Sequence, residues 1–316
     1  MIDAARSMRG WTGPRPARLP IARTHRWAVR RSRRWPGRHG LTVMAVEGDI
    51  GDVVAHYESS VEENRLSAGL AALELVRTRE ILGRHLPGPP AQVLDVGGGT
   101  GVHAAWLLAE GYGVHLLDVT PRHVGQALRV LGDRGLTADV ADARRLSVPD
   151  DSFDVVLVLG PLYHLQELTD RLRALEEARR VVRPNGLVAV AAISRFASLF
   201  DGLARGYLFD PEFRDIVQRD LADGRHTNPR HRPHWFTTAF FHRPEQLANE
   251  IASAGLVLTE VVGVEGLAGW LPHLEQRWAN EADRDVILSA ARLVESEPAL
   301  LGLSGHLLAV ARRAND

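Results

Sequence analysis

Val93-Leu94-Asp95-Val96-Gly97-Gly98-Gly99-Thr100-Gly101 is the stretch whose reading decides the fold. Val93, Leu94 and Val96 supply the apolar run of a buried strand. The glycines that follow tolerate positive φ and let backbone approach a ligand with no Cβ in the way. His103 to Ala109 then has helical composition and meets no breaker before Gly111. A strand, a glycine turn and a helix start present free N–H groups to a polar or charged ligand group. The bland alternative is a βα turn that binds nothing, but four glycines weaken a turn with no other task.

Spacing separates the nucleotide sites that use such a turn. A dinucleotide fingerprint needs G-x-G-x-x-G after the strand. Here the alternate glycines are 97, 99 and 101, and position 102 is Val, so that fingerprint fails at its third glycine. The stretch instead resembles motif I of the class I S-adenosylmethionine (SAM) dependent methyltransferases, [D/E]-x-G-x-G-x-G. Asp95, Gly97, Gly99 and Gly101 match its fixed positions. An acid two residues before the first glycine suits SAM, which presents a cationic ammonium and sulfonium rather than a pyrophosphate.

Further positions extend the resemblance. Val114 to Asp118 reads as a second strand ending on an acid some twenty residues past the glycines. A carboxylate there matches a ribose diol, and helix-terminal acid is its bland reading. A third strand, Ala138-Asp139-Val140, leads to Asp142 and Ala143, which the resemblance places beside adenine. Val155 to Leu159 is a fourth, buried strand running into Gly160-Pro161-Leu162-Tyr163-His164. In the family this loop supplies cofactor contacts or a catalytic residue. Tyr163 and His164 are therefore the candidate catalytic pair, with His164 able to take a proton near neutral pH. A histidine that only packs or bonds a carbonyl is the competing reading. Arg183-Pro184-Asn185-Gly186 resembles the family's turn before strand five, with Asn185 in a left-handed position that Asn tolerates. Leu187 to Ile193 is strand five, Leu256 to Val264 strand six and His306 to Ala311 the last.

The implied fold is an α/β, doubly wound, Rossmann-like sheet of seven mostly parallel strands in the order 3-2-1-4-5-7-6, the seventh antiparallel. Residues 48–86 read as N-terminal helices, with Leu70, Leu73, Val76 and Leu82 near helical spacing. Tyr57 and Arg65 stand where the family lids the methionine end of SAM. Residues 194–243 form a long aromatic and cationic insertion, expected to be a helical lid or substrate pocket. His234, Trp235, Phe240 and His242 are its candidate substrate contacts. No metal is expected, since the insertion's histidines lack a helical ligand spacing and no cysteine accompanies them.

Composition bounds the rest. The chain has 316 residues, 45% hydrophobic and 24% charged, with a formal net charge of −1 and no cysteine. That excludes disulfides and thiolate chemistry and gives no global case for nucleic acid or an anionic membrane. Lysine is absent, which removes Schiff-base mechanisms. No apolar run is long enough to span a bilayer, and a cytoplasmic location is the expectation. Residues 1–43 carry eleven arginines against the single acid Asp3, with four helix-breaking prolines. They read as a disordered extension or sequence upstream of a start at Met44, rather than a nucleic-acid arm. Residues 44–316 are the expected methyltransferase domain. The expected activity is methyl transfer from SAM to a small molecule, O- or N-methylation first, leaving S-adenosylhomocysteine. An NAD(P)-dependent oxidoreductase, a non-catalytic SAM-binding protein and an RNA methyltransferase are the alternatives. Neither the acceptor nor an oligomeric state is legible.

Overall fold

The chain's apolar runs are continuous where a strand covered on both faces requires it. Such runs form β1 (Gln92–Val96), β2 (Gly113–Asp118), β4 (Phe153–Val158) and β5 (Val182–Ser194), and the half-buried edge strand β3 (Thr137–Val140) completes the five parallel strands. A computed structural model describes residues 69–230, 232 and 235–315. The expected extension 1–43, the helix before residue 69, Tyr57, Arg65 and His234 lie outside the described residues.

Parallel neighbours need crossovers, and helices supply them. They are α1 (Gly69–His85), α2 (Val102–Ala109), α3 (Pro121–Leu131) and α4 (Leu168–Val181), the first preceding β1. Within the insertion come α5 (Ala197–Arg205), α6 (Pro211–Asp223), β6 (Arg225–His226) and β7 (Ala239–His242). Then follow α7 (Pro244–Ser253), β8 (Leu256–Gly263), α8 (Leu274–Ala279), α9 (Glu281–Val294) and β9 (His306–Arg313).

The main sheet runs β3-β2-β1-β4-β5-β9-β8, with β9 antiparallel to both neighbours. With β8 and β9 as the sixth and seventh expected strands, this is the order 3-2-1-4-5-7-6. The count differs from the expected seven, because the sheet has nine strands. The extra two come from the insertion: β7 pairs parallel with the tip of β5 at Ile193 and Ser194, and β6 pairs with β7. Such short runs carry too few residues for periodicity to reveal.

On one face, Ile81 and Leu82 of α1, Leu107 of α2 and Val124 and Leu131 of α3 pack on Val93, Leu116, Val155 and Leu157. On the other, buried Leu175 and Ala178 of α4 and Leu247 and Ile251 of α7 supply apolar cover. Asn185 has φ 60°, the left-handed conformation expected of it. A Cβ on the next residue, Gly186, would lie 2.5 Å from the Val182 side chain, so that position admits no larger residue. Among the described residues no helix is long and apolar enough to cross a membrane.

The insertion is partly helical, as expected, but three of its aromatics, Tyr207, Phe213 and Trp235, belong to a small core of their own. Phe213, Ile216, Val217 and Trp235 are buried together, with Leu199, Tyr207 and Leu221 against them. Asp210 caps α6 by accepting from the Glu212 N–H at 2.9 Å, and Pro211 opens the helix.

Candidate functional site

Strand order reverses at β1, which lies between β2 and β4, so the connections leaving these strands part there. The crevice at that point is open to solvent. It is lined by residues 95–100, 118–120, 141–143, 159–161 and 163–165, with Glu74, Val102, His103 and His123 added. Asp95, Gly97, Gly99, Asp118, Asp142, Ala143, Gly160, Tyr163 and His164, distant in sequence, all border it.

The glycines have separate tasks. Gly97 has φ +71°, and a Cβ there would lie 2.5 Å from the Pro161 ring. Gly101 has φ +89°, begins α2 and meets Leu131 of α3, which makes it a packing glycine rather than a crevice one. At Gly99, φ +56°, a Cβ would meet no protein atom within 4 Å, because the position faces open space. A Cβ on Gly160 would come within 3.2 Å of the Gly97 carbonyl oxygen, so the β4 loop can approach the glycine turn closely only without a side chain.

Two carboxylates stand beside this turn. Asp118 Oδ2 accepts from the Gly99 N–H at 2.9 Å, and Oδ1 accepts from the Thr120 N–H at 2.8 Å. His123 Nδ1 is 3.5 Å from the same Oδ1. Asp95 is only 1% exposed, and its Oδ2 has no hydrogen-bond partner. Burial pushes the Asp95 carboxyl up from 3.8 to about 7, with the nearby Asp118 charge adding to the effect. An orphaned, buried carboxylate oxygen next to a second carboxylate calls for a cationic ligand group. The ammonium of SAM fits that demand, whereas a pyrophosphate would face two negative charges.

Asp142 is anchored: the Arg144 guanidinium donates to both of its oxygens, the shortest contact being 2.6 Å, and also reaches Asp170 at 2.8 Å. Ala143 beside it is buried. Tyr163 and His164 lie on the single helical turn Pro161–His164. Their rings are 4.8 Å apart, and His164 stacks on Phe236 at 5.9 Å. His164 Nδ1 is 3.4 Å from the Thr238 carbonyl, so this loop rests on the insertion.

The expected substrate contacts of the insertion are placed otherwise. His242 is fully buried, with Nε2 3.2 Å from Glu250. Burial pushes its pKa down, and the Glu250 hydrogen bond only partly opposes that. Phe240 is buried beneath the Arg171 guanidinium at 3.6 Å, and Trp235 packs on Phe213 at 5.0 Å. None of the three lines the crevice. Phe240 and His242 belong to β7, which is buried along its whole length, and Trp235 is buried in the insertion's own core. His226 is likewise spent on buried Asp220, 2.8 Å away. Sequence reading overlooked Glu74, His103 and His123. Glu74 carries no distinct signal in the sequence, being one of two glutamates on α1.

Comparison with known proteins agrees with this geometry. The methyltransferase domain family matches residues 94–190. A ubiquinone/menaquinone biosynthesis C-methyltransferase of Vibrio vulnificus is 28% identical over 204 residues, covering 59% of this chain and 75% of the relative. A demethylmenaquinone methyltransferase of Beutenbergia cavernae is 29% identical over 191 residues, covering 56% and 75%. Among solved structures, an S-adenosylmethionine dependent methyltransferase from Mesorhizobium loti superposes with a TM-score of 0.52 at 17% identity, over 76% of this chain and all of the other. That last likeness concerns the fold.

Proposed function

Because this chain is a class I SAM-dependent methyltransferase, we propose that it methylates a small-molecule acceptor held at the β4 and β5 end of the crevice. SAM supplies the methyl group on its sulfonium and leaves as S-adenosylhomocysteine. The observation that carries the reading is the buried, unpartnered Oδ2 of Asp95 beside the glycine turn. In this reading Asp95 offsets the charge of the ammonium, and Gly97 and Gly99 let backbone lie against the methionine part. Gly101 contributes by holding α2 against α3. Asp118 accepts from the ribose hydroxyls, held in place by the Gly99 and Thr120 N–H groups. Asp142 and Ala143 flank the adenine, and Gly160 lets the β4 loop close on the turn. Tyr57 and Arg65 are proposed to lid the same end.

Tyr163 and His164 border the position where the methyl would sit. His164 orients the acceptor, and most of the rate comes from alignment. We favour an oxygen or nitrogen acceptor. Carbon is the second reading, because the relatives named above include a C-methyltransferase. Residues 44–316 are proposed as the functional domain and residues 1–43 as dispensable for it. Calorimetry with SAM, S-adenosylhomocysteine and NADH tests the cofactor. Binding of NADH in place of SAM would overturn the reading. Radiolabelled-methyl transfer to a metabolite extract and to RNA tests the acceptor class.

A further inference from the structure

A second group of ionisable side chains stands at the edge of the crevice, outside the set read from sequence. Glu74 of α1 lines the crevice. Its Oε2 lies 4.0 Å from Nδ1 of His306. His306 opens β9 opposite Ile193. Since β9 is antiparallel to β5, its first residue lies at the carboxyl end of the parallel strands, the end that forms the crevice. The side chain of His306 is 24% exposed, so it is within reach of a ligand.

Behind His306 is Glu265, 1% exposed. Its Oε1 takes the His306 Nδ1 at 2.5 Å, and its Oε2 accepts from the Ser304 hydroxyl at 2.9 Å and the His306 N–H at 3.0 Å. Burial works against its ionisation, but the His306 charge and hydrogen bonds outweigh that and hold it below the usual carboxylate range. Part of this arrangement is structural, since Ser304 Oγ also accepts from the N–H groups of Glu265 and Gly266 and so ties the two loops together. The imidazole is not needed for that tie, because the His306 peptide N–H already fills Oε2. With Glu265 an acceptor, the neutral form of the ring keeps its proton on Nδ1 and its lone pair on Nε2. Phe200 and Trp270, whose rings are 5.5 Å apart, and Phe196 stand beside the same loops, partly exposed. Gly302 lies against Phe196, and Gly305 lies between Glu265 and Trp270. A flat, apolar acceptor therefore has walls next to a histidine.

We propose that His306, oriented by Glu265 and flanked by Glu74, is the group that takes the acceptor's proton, and that the acceptor is an O–H acid such as a phenol or enol. This rests on the methyltransferase reading above. The acceptor's O–H proton moves to Nε2, and the oxygen keeps the electron pair of the broken bond. That pair, or its conjugated carbon equivalent, forms the bond to the incoming methyl, while the pair of the broken S–C bond stays on sulfur as a neutral thioether. The imidazolium, balanced by Glu265 and Glu74, then loses its proton to water. Glu265 is a positioning residue in this scheme and touches no substrate. An acceptor that loses its proton before attack accommodates methylation at oxygen or at carbon, so one site serves both outcomes.

The test compares the full chain with His306→Gln and His306→Asn, using labelled SAM and a panel of phenols, 1,3-diketones and amines, across pH. S-adenosylhomocysteine affinity and melting temperature are measured alongside. The expected result is transfer to the O–H acids, about a hundredfold or larger loss of kcat in both variants, and an unchanged KM for SAM. The low-pH limb of the rate, over which His306 of the parent gives up its proton, is replaced in the variants by one set by the acceptor's own ionisation. Nitrogen NMR of labelled histidine should find His306 protonated on Nδ1. Glu265→Gln should disturb that protonation pattern and the pH profile as well as kcat. Variants within threefold of the parent, turnover of amines only, no turnover of any panel member, or an Nε2–H ring would each overturn the proposal. So would a parent activity that requires added zinc or manganese, because the three ligand atoms of Glu74, Glu265 and His306 lie within 4.8 Å of one another. Failure of the parent to bind S-adenosylhomocysteine would instead sink the methyltransferase reading itself.

Discussion

Replacing Asp95 by Asn should stabilise the ligand-free protein at alkaline pH while weakening its hold on SAM. Burial first, and the Asp118 charge second, move the Asp95 carboxyl from 3.8 to about 7. A tenfold change in proton affinity is worth about 1.4 kcal/mol, so ionising this group in the folded chain costs about 4 kcal/mol relative to the unfolded one. The sign follows from proton counting. Between 3.8 and about 7 the folded state keeps a proton that the unfolded state has lost, so stability falls as pH rises through that window. Below it neither state is charged and the cost vanishes; above it the cost is complete. Asn carries no such dependence. The stability of the variant relative to the parent should therefore rise by about 2–3 kcal/mol between pH 5 and pH 8. Urea denaturation at the two values measures it. Saturating S-adenosylhomocysteine, which keeps the ammonium, should reverse the order by stabilising the parent more. A difference that does not change with pH, or equal ligand affinity in the two proteins, would refute the argument that the orphaned oxygen awaits a cation.

Asp118→Ala should weaken SAM binding by about 1.5–3 kcal/mol, the worth of a charged hydrogen-bond acceptor, and calorimetry reads it; unchanged affinity would remove Asp118 from the site. Gly97→Ala and Gly99→Ala separate packing from binding. Both place a side chain at positive φ, at about 1–2 kcal/mol, but only position 97 also meets the Pro161 ring, adding about 1–3 kcal/mol of overpacking. Thermal melts should show the larger loss at 97, and titration should show lost SAM affinity at 99. His164→Ala should lower turnover more than SAM affinity if the residue acts on the acceptor; equal losses would make it a cofactor contact. Deleting residues 1–43 should leave transfer activity intact, and lost activity would revive the basic arm as a working part.

Motifs carried the cofactor side of the site because each is local. A strand that must enter a helix through a tight turn beside a ligand needs glycine at set spacings, and Gly97 and Gly99 show why. Asp118 needs only to end the next strand, and Asn185 only to tolerate positive φ. The order of the main sheet was implied by resemblance through these same local signals. The insertion was opaque for the opposite reason. Aromatics rich enough to suggest a pocket, Trp235 and Phe240 among them, are equally what a small separate core needs. Which of the two they make depends on the neighbours they meet. His242 illustrates it: nothing within a few residues shows that Glu250 will sit 3.2 Å from its ring on a helix packed behind it.

The amino-acid sequence by itself determined the doubly wound sheet, the glycine turn and the acids that follow it at strand ends, because backbone conformation and strand periodicity are set over a few residues. Only the tertiary structure decided that Asp95 keeps an oxygen without a partner. It alone brought Glu265 and His306, distant in sequence, beside Glu74, which lines the crevice. It alone added two strands from the insertion to the tip of β5. Burial and long-range proximity exist only once the sheet has closed, and they convert ordinary residue types into a charged site.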